Sequence, residues 1–103
     1  MTQSDFVTAT DQGFSLHGRV SFDTVAVMRL QGEKCLASWA AAKRDVEIDL
    51  SHIKETDASV FSLLLCFVRY AEKMQCTLFF TRVPTALLRM RTMFGLTELI
   101  KIK

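Results

Sequence analysis

The order of apolar patterns along the chain predicts a single α/β (α+β) domain with a mixed, partly parallel central sheet. Short apolar segments suited to strands take turns with longer segments of helical period, the arrangement expected when strands are joined through crossover helices. At 103 residues the chain suits one hydrophobic core, so residues 1–103 form one unit. Half of the residues are hydrophobic, which supplies that core without disulfides or a structural metal.

Taken in order, Phe6 to Thr10 alternates apolar and polar side chains. Asp11-Gln12-Gly13 reads as a turn and Phe14 to His17 resumes the alternation, which predicts a β-hairpin ended by Gly18. From Asp23 the pattern turns helical, with Val25, Met28, Cys35 and Leu36 near helical spacing. Asp23 is placed to cap that helix and Gly32 to interrupt or end it; Trp39 and Ala40 to Ala42 are either its last turn or a second short helix. Val46 to Leu50 reads as a buried strand, followed by a polar turn from Ser51 to Asp57. A long helix starts near Asp57 or Ala58 and runs to about Met74. Cys76 to Thr81 is a second apolar strand, Pro84 suits the first turn of a third helix and Gly95 its end, and Leu99 to Ile102 closes the chain with a short strand or helix.

The long helix carries most of the functional information. At about 100° per residue, Val60, Phe61, Leu64, Phe67, Val68 and Ala71 share the face expected to pack on the sheet. Ser59, Ser62, Cys66, Arg69 and Lys73 share the opposite face. Ser59 thus falls in the first turn, directed away from the core, where its hydroxyl either satisfies the unpaired amides of the helix start or meets a partner. Leu63, Tyr70 and Met74 fall beside the Ser59 stripe, which predicts an apolar strip next to an exposed hydroxyl unless another element covers it.

Composition narrows the function. Thirteen basic and eleven acidic residues give a net charge of +2, too even a mixture for the positive field that nucleic-acid binding needs. Met1 to Phe6 lacks the basic and apolar runs of a secretory signal, and the apolar stretch from Ala58 to Ala71 falls short of the ~20 residues that span a bilayer. No direct membrane insertion is expected. Three cysteines in no metal-ligand spacing fit a reducing compartment in which Cys35, Cys66 and Cys76 serve as small hydrophobes, so we expect a cytoplasmic chain. His17 and His52 stand far apart in sequence and belong to no nucleophile or metal motif, there is no phosphate-binding glycine loop, and Asp49 and Asp57 read as loop and helix caps. The expectation is a non-enzyme without cofactor or metal. Arg82, Arg89, Arg91, Lys101 and Lys103 form either a basic patch or part of a solvated face. Met90 and Met93, with Leu87 and Phe94, read as a core-facing helix side.

The run Val46-Glu47-Ile48-Asp49-Leu50-Ser51-His52-Ile53-Lys54-Glu55-Thr56-Asp57-Ala58-Ser59 resembles the signature of STAS domains: a buried strand, Asp-Leu-Ser, a short loop and an Asp-x-Ser helix start. The resemblance continues through Phe61 to Tyr70, Leu78 to Val83, Pro84 to Leu88 and Phe94 to Leu99, and covers Asp45 to Ile100 best. It implies a STAS-like domain with helices packed mainly on one side of the sheet. Two branches are implied. In the MlaB-like subunits of Mla phospholipid transporters the domain binds the ATPase of an inner-membrane ABC transporter involved in outer-membrane lipid asymmetry. In anti-sigma factor antagonists a partner serine kinase phosphorylates the Asp-x-Ser hydroxyl, here Ser59. The segments Phe80 to Leu88 and Gly95 to Leu99 look more like the transporter branch.

That resemblance implies Ser59 as candidate phospho-acceptor and Asp57, Ala58, Ser59, Val60, Ser62, Leu63, Cys66, Arg69 and Tyr70 as partner-binding residues. It also implies a chain held peripherally at the inner membrane through its partner. Two departures weigh against regulated phosphorylation. The glycine after the acceptor is Val60 here, and Ala58 stands where many relatives have a hydroxyl residue.

Overall fold

The computed structural model describes residues 6–42 and 44–103, with Glu55 by its backbone alone. The polar start of the chain, residues 1–5, lies outside the described residues. Seven elements follow one another: β1 (Val7–Ala9), β2 (Gly13–Val20), α1 (Val25–Ala41), β3 (Val46–Thr56), α2 (Ser59–Lys73), β4 (Leu78–Thr81) and α3 (Thr85–Met93). The strands form one sheet in the order β1-β2-β3-β4. β1 is antiparallel to β2, with Val7 opposite Leu16, and β2, β3 and β4 run parallel, with Phe14 opposite Ile48 and Ile48 opposite Phe80.

Two successive parallel crossovers step across the sheet in the same direction. With the usual right-handed connection, both place their helices on the same face. Alternation in β3 and β4 agrees: Val46, Ile48, Leu50, Leu78 and Phe80 are buried, whereas Glu47, Asp49 and Phe79 between them are partly exposed. The helices meet that buried face with Met28 and Leu36 of α1, Val60, Phe61, Leu63, Leu64, Phe67 and Ala71 of α2, and Leu87 of α3. Beyond β4 the chain returns along its free edge. Phe80 donates its N–H to Lys101 O at 2.9 Å and accepts from the N–H of Lys103 at 3.0 Å, and Ile102 bridges Phe80 in parallel.

Five expectations change. The second strand does not end at Gly18 but continues to Val20 through a shift in register, and β3 extends through Ser51 to Thr56 where a polar turn was expected. That polar stretch is a strand because its partner β2 also runs on, pairing His17 with His52 and Val20 with Thr56. Helix α1 passes through Gly32 without a break and takes in Trp39 and the alanines to Ala41; Thr24 rather than Asp23 precedes it. Gly32 is buried, and a Cβ there would stand 2.4 Å from the Phe67 ring, so the glycine is the point of closest approach between α1 and α2. Finally, Met93 and Phe94 lie mostly outside the core, at 77% and 51% exposure.

Candidate functional site

β3 delivers the chain to the start of α2 through Asp57 and Ala58. The first amides of a helix have no partner within it, and Asp57 supplies one: its Oδ1 accepts the Ser59 N–H at 2.7 Å. The hydroxyl of Ser59 and then its N–H hold the Asp57 carboxyl below the ordinary aspartate range, with a smaller contribution from the Phe22 backbone. Asp57 N–H in turn donates to Val20 O at 3.3 Å. The loop after β2 and the mouth of α2 are therefore tied through one residue. Asp57 and Ala58 are exposed, Ser59 is half-buried and Ser62 is exposed one turn on.

Next to this mouth lies a shallow depression of about 250 Å³ lined by Arg19, Val20, Ser21, Thr56 and Asp57. Phe22 follows directly; its backbone helps hold the Asp57 carboxyl low, and its large aromatic side chain is 83% exposed to water. On the α3 side, Phe94 stacks edge-on against Phe61 of the first turn of α2, with ring centres 5.5 Å apart. Phe22 was not among the residues singled out from the sequence, and Phe94 was read there only as part of a core-facing helix side. The signal for Phe22 was an aromatic residue set between Ser21 and Asp23 in a polar loop; the position of Phe94 depends on how α3 crosses α2, which no local pattern records.

The sequence-predicted residues divide into three groups. Asp57, Ala58, Ser59 and Ser62 gather at the mouth of α2. Cys66, Arg69 and Tyr70 lie farther down the helix and, with Lys73 and with Arg29 and Glu33 of α1, line a groove of about 270 Å³. Val60 and Leu63 are corrections: both are fully buried, and neither presents a side chain to a partner. The expected strip of Leu63, Tyr70 and Met74 beside Ser59 is only partly open: the fold covers Leu63 completely and Tyr70 in part, and leaves Met74 40% exposed. A wheel drawn on one helix finds such a stripe but cannot tell a neighbouring helix from an external partner.

Other polar groups serve the fold. Asp49 accepts the Ser51 N–H at 2.8 Å and pairs with Arg82 at 3.4 Å. These contacts, with a minor contribution from His52, outweigh the partial burial that opposes ionisation and hold the carboxyl below its usual range. His17 and His52, distant in sequence, stack with ring centres 4.7 Å apart on the sheet face away from the helices, and a ring nitrogen of His17 lies 2.7 Å from the hydroxyl of buried Ser15. Among the described residues no group of three His, Cys, Asp or Glu side chains is placed to hold a metal ion. Three of the five basic residues of the last third are engaged within the chain. Arg82 pairs with Asp49 and Lys103 with Glu47, while Arg91 donates to the carbonyls of Ile100 and Thr97 at 2.7 and 2.8 Å. No helix among the described residues is long and apolar enough to cross a membrane.

Comparison with known proteins agrees with this architecture. The family model described as Mlab, STAS domain matches residues 7–101. Among solved structures, a Thermotoga maritima protein described as an anti-sigma factor antagonist superposes with a TM-score of 0.73 over 93% of this chain and 82% of its own. At 10% identity that likeness concerns the fold. No curated protein matches the sequence.

Proposed function

This chain belongs to the STAS domain family, in the group described as Mlab, and from that premise we propose that it acts by binding, as a non-catalytic cytoplasmic subunit that docks on the ATPase of an Mla-type phospholipid ABC transporter. The observation that carries this reading is the mouth of α2, where an accessible Asp57–Ser59 pair is tied to the loop that carries Phe22, an aromatic side chain the monomer leaves uncovered. Polar groups already held in place lose little freedom on docking, and an aromatic anchor supplies most of the affinity. Removing a side chain the size of Phe22 from water contributes roughly 2 kcal/mol, which corresponds to more than a tenfold gain in affinity. Docking there would hold the chain at the inner membrane through its partner and support the transporter's part in outer-membrane lipid asymmetry.

The test is capture of partners by the full chain from solubilised native membranes. Recovery of an ABC ATPase, lost with Phe22→Ala, supports the reading; recovery of a sigma-regulating serine kinase in its place overturns it.

One observation favours a second reading, an anti-sigma factor antagonist switched at Ser59: the hydroxyl is partly accessible at the helix start. A phosphate there adds about −2 charge beside the Asp57 carboxylate that now accepts from Ser59, so modification would break the present cap and expel an apolar partner surface. Intact-mass measurement after incubation with sigma-regulating kinases decides this reading, and an unchanged mass removes it.

A further inference from the structure

We infer that the groove between α1 and α2 receives an acidic segment of the docked protein, as a second point of contact below the mouth of α2; this deepens the docking reading above and rests on it. The α2 wall of the groove is cationic, with Arg69 and Lys73, while on the α1 wall Arg29 is already paired with Glu33 at 3.3 Å. Arg69 and Lys73 have no ion-pair partner among the described residues. Two unpaired cations on one helix turn therefore border a floor made by half-buried Cys66 and Tyr70. An apolar floor beside a positive wall complements a segment with apolar residues on one side and Asp or Glu on the other.

Geometry and size point the same way. Ser59 and Lys73 are the first and last residues of α2, about 21 Å apart at 1.5 Å per residue. A stable contact covers roughly 800 Å² on each partner, from about 20 residues a side, and the mouth residues are too few to supply it alone. The groove continues the same helix and extends the footprint without a gap. Because Glu33 is already paired with Arg29, the unbalanced charge that a partner meets is that of Arg69 and Lys73, and the vesicle arm of the experiment separates an acidic protein segment from an anionic lipid surface.

The experiment titrates the isotopically labelled full chain with a synthetic helical peptide bearing Glu on one face and Leu on the other, and separately with vesicles of phosphatidylglycerol and phosphatidylcholine. The expected result is amide shifts at Arg29, Glu33, Cys66, Arg69, Tyr70 and Lys73 with the peptide alone. Binding should weaken at least tenfold in the Arg69→Glu/Lys73→Glu variant and severalfold between 50 and 300 mM salt. Both substituted residues are exposed, and an unchanged unfolding midpoint certifies the fold of the variant. Shifts elsewhere, affinity unaffected by the double variant, or the same response to vesicles would each overturn the inference. Partner capture separates this inference from the reading beneath it. If the unsubstituted chain and the double variant retain an ABC ATPase equally, the groove assignment fails and the docking reading stands. If the unsubstituted chain retains none, the docking reading fails, and the inference built on it fails with it.

Discussion

Gly32 lies against the ring of Phe67 so closely that a single added carbon would stand 2.4 Å from the ring edge. Helix α1 crosses α2 where it carries no side chain, and Phe67, fully buried, also meets Phe14 of β2 edge-on with ring centres 5.8 Å apart. The ring therefore locks both helices to the sheet. Alanine at position 32 gains about 1 kcal/mol of helix propensity but must displace a ring with no free volume around it, at about 1–3 kcal/mol. Gly32→Ala should lower stability by up to about 2 kcal/mol in urea unfolding at an unchanged m-value; a gain in stability would refute the close-packing account.

Exposed Phe22 and buried Leu63 should respond in opposite ways. Phe22→Ala removes surface that water already covers and should change stability by less than about 0.5 kcal/mol while weakening partner binding about tenfold or more. Leu63→Ala opens a cavity in the core and should cost about 2–5 kcal/mol, with weaker binding only in proportion to the unfolded fraction. Thermal melts paired with partner capture check both, and the reverse pattern would restore Leu63 to the docking surface.

Helices α2 and α3 end in the same hydrogen-bonded motif with different residues at its left-handed position. In α2, Gln75 has φ 58°, donates its N–H to Glu72 O at 3.0 Å and is followed by Cys76 donating to Ala71 O at 2.8 Å. In α3, Gly95 has φ 68°, with matching bonds from Gly95 to Thr92 O and from Leu96 to Arg91 O. A side chain at that position is strained where glycine is not. Gln75→Gly should raise stability by about 0.5–1 kcal/mol and Gly95→Ala should lower it by about 1 kcal/mol, both read from denaturant midpoints. A loss from Gln75→Gly would mean that the glutamine side chain outweighs the backbone strain.

The Asp57 carboxyl is held low chiefly by the Ser59 hydroxyl and then by its N–H. Its folded pKa lies below the unfolded value of about 3.9, so the ionised group stabilises the fold above that pH. The contribution fades as pH falls through the folded pKa. Titration followed at the Asp57 side-chain carbon should show a midpoint below that of a free aspartate, and Ser59→Ala should move it upward. An unchanged midpoint in Ser59→Ala would deny the hydroxyl its contact.

Much of this architecture is legible in local patterns, because Val46 to Leu50, the apolar face of α2 and the Pro84–Gly95 bracket record burial or backbone constraint one residue at a time. What was misread depends on a second element. Gly32 resembles a helix break because its neighbour Phe67 is 35 positions away, and Leu63 resembles exposed surface because the part of the fold that covers it is not part of its own periodicity. The polar run of β3 through Ser51 and Lys54 reads as a turn and becomes a strand only because β2 supplies a parallel partner. Site residues followed the same rule: Asp57 and Ser59 announce themselves by local capping chemistry, whereas Phe22 and Arg29 reach the surface beside α2 only through the tertiary arrangement.

The return of Lys101–Lys103 along β4 has a consequence for recognition. With the main-chain groups of Phe80 already engaged there, and a β1 of three residues forming the other border, the sheet offers little unpaired backbone for an incoming chain to zip onto. Complexes of this protein must then be written in side chains rather than in peptide groups. Such a code is rewritten one substitution at a time, which lets duplicated copies of the same scaffold drift toward different clients while the framework stays intact.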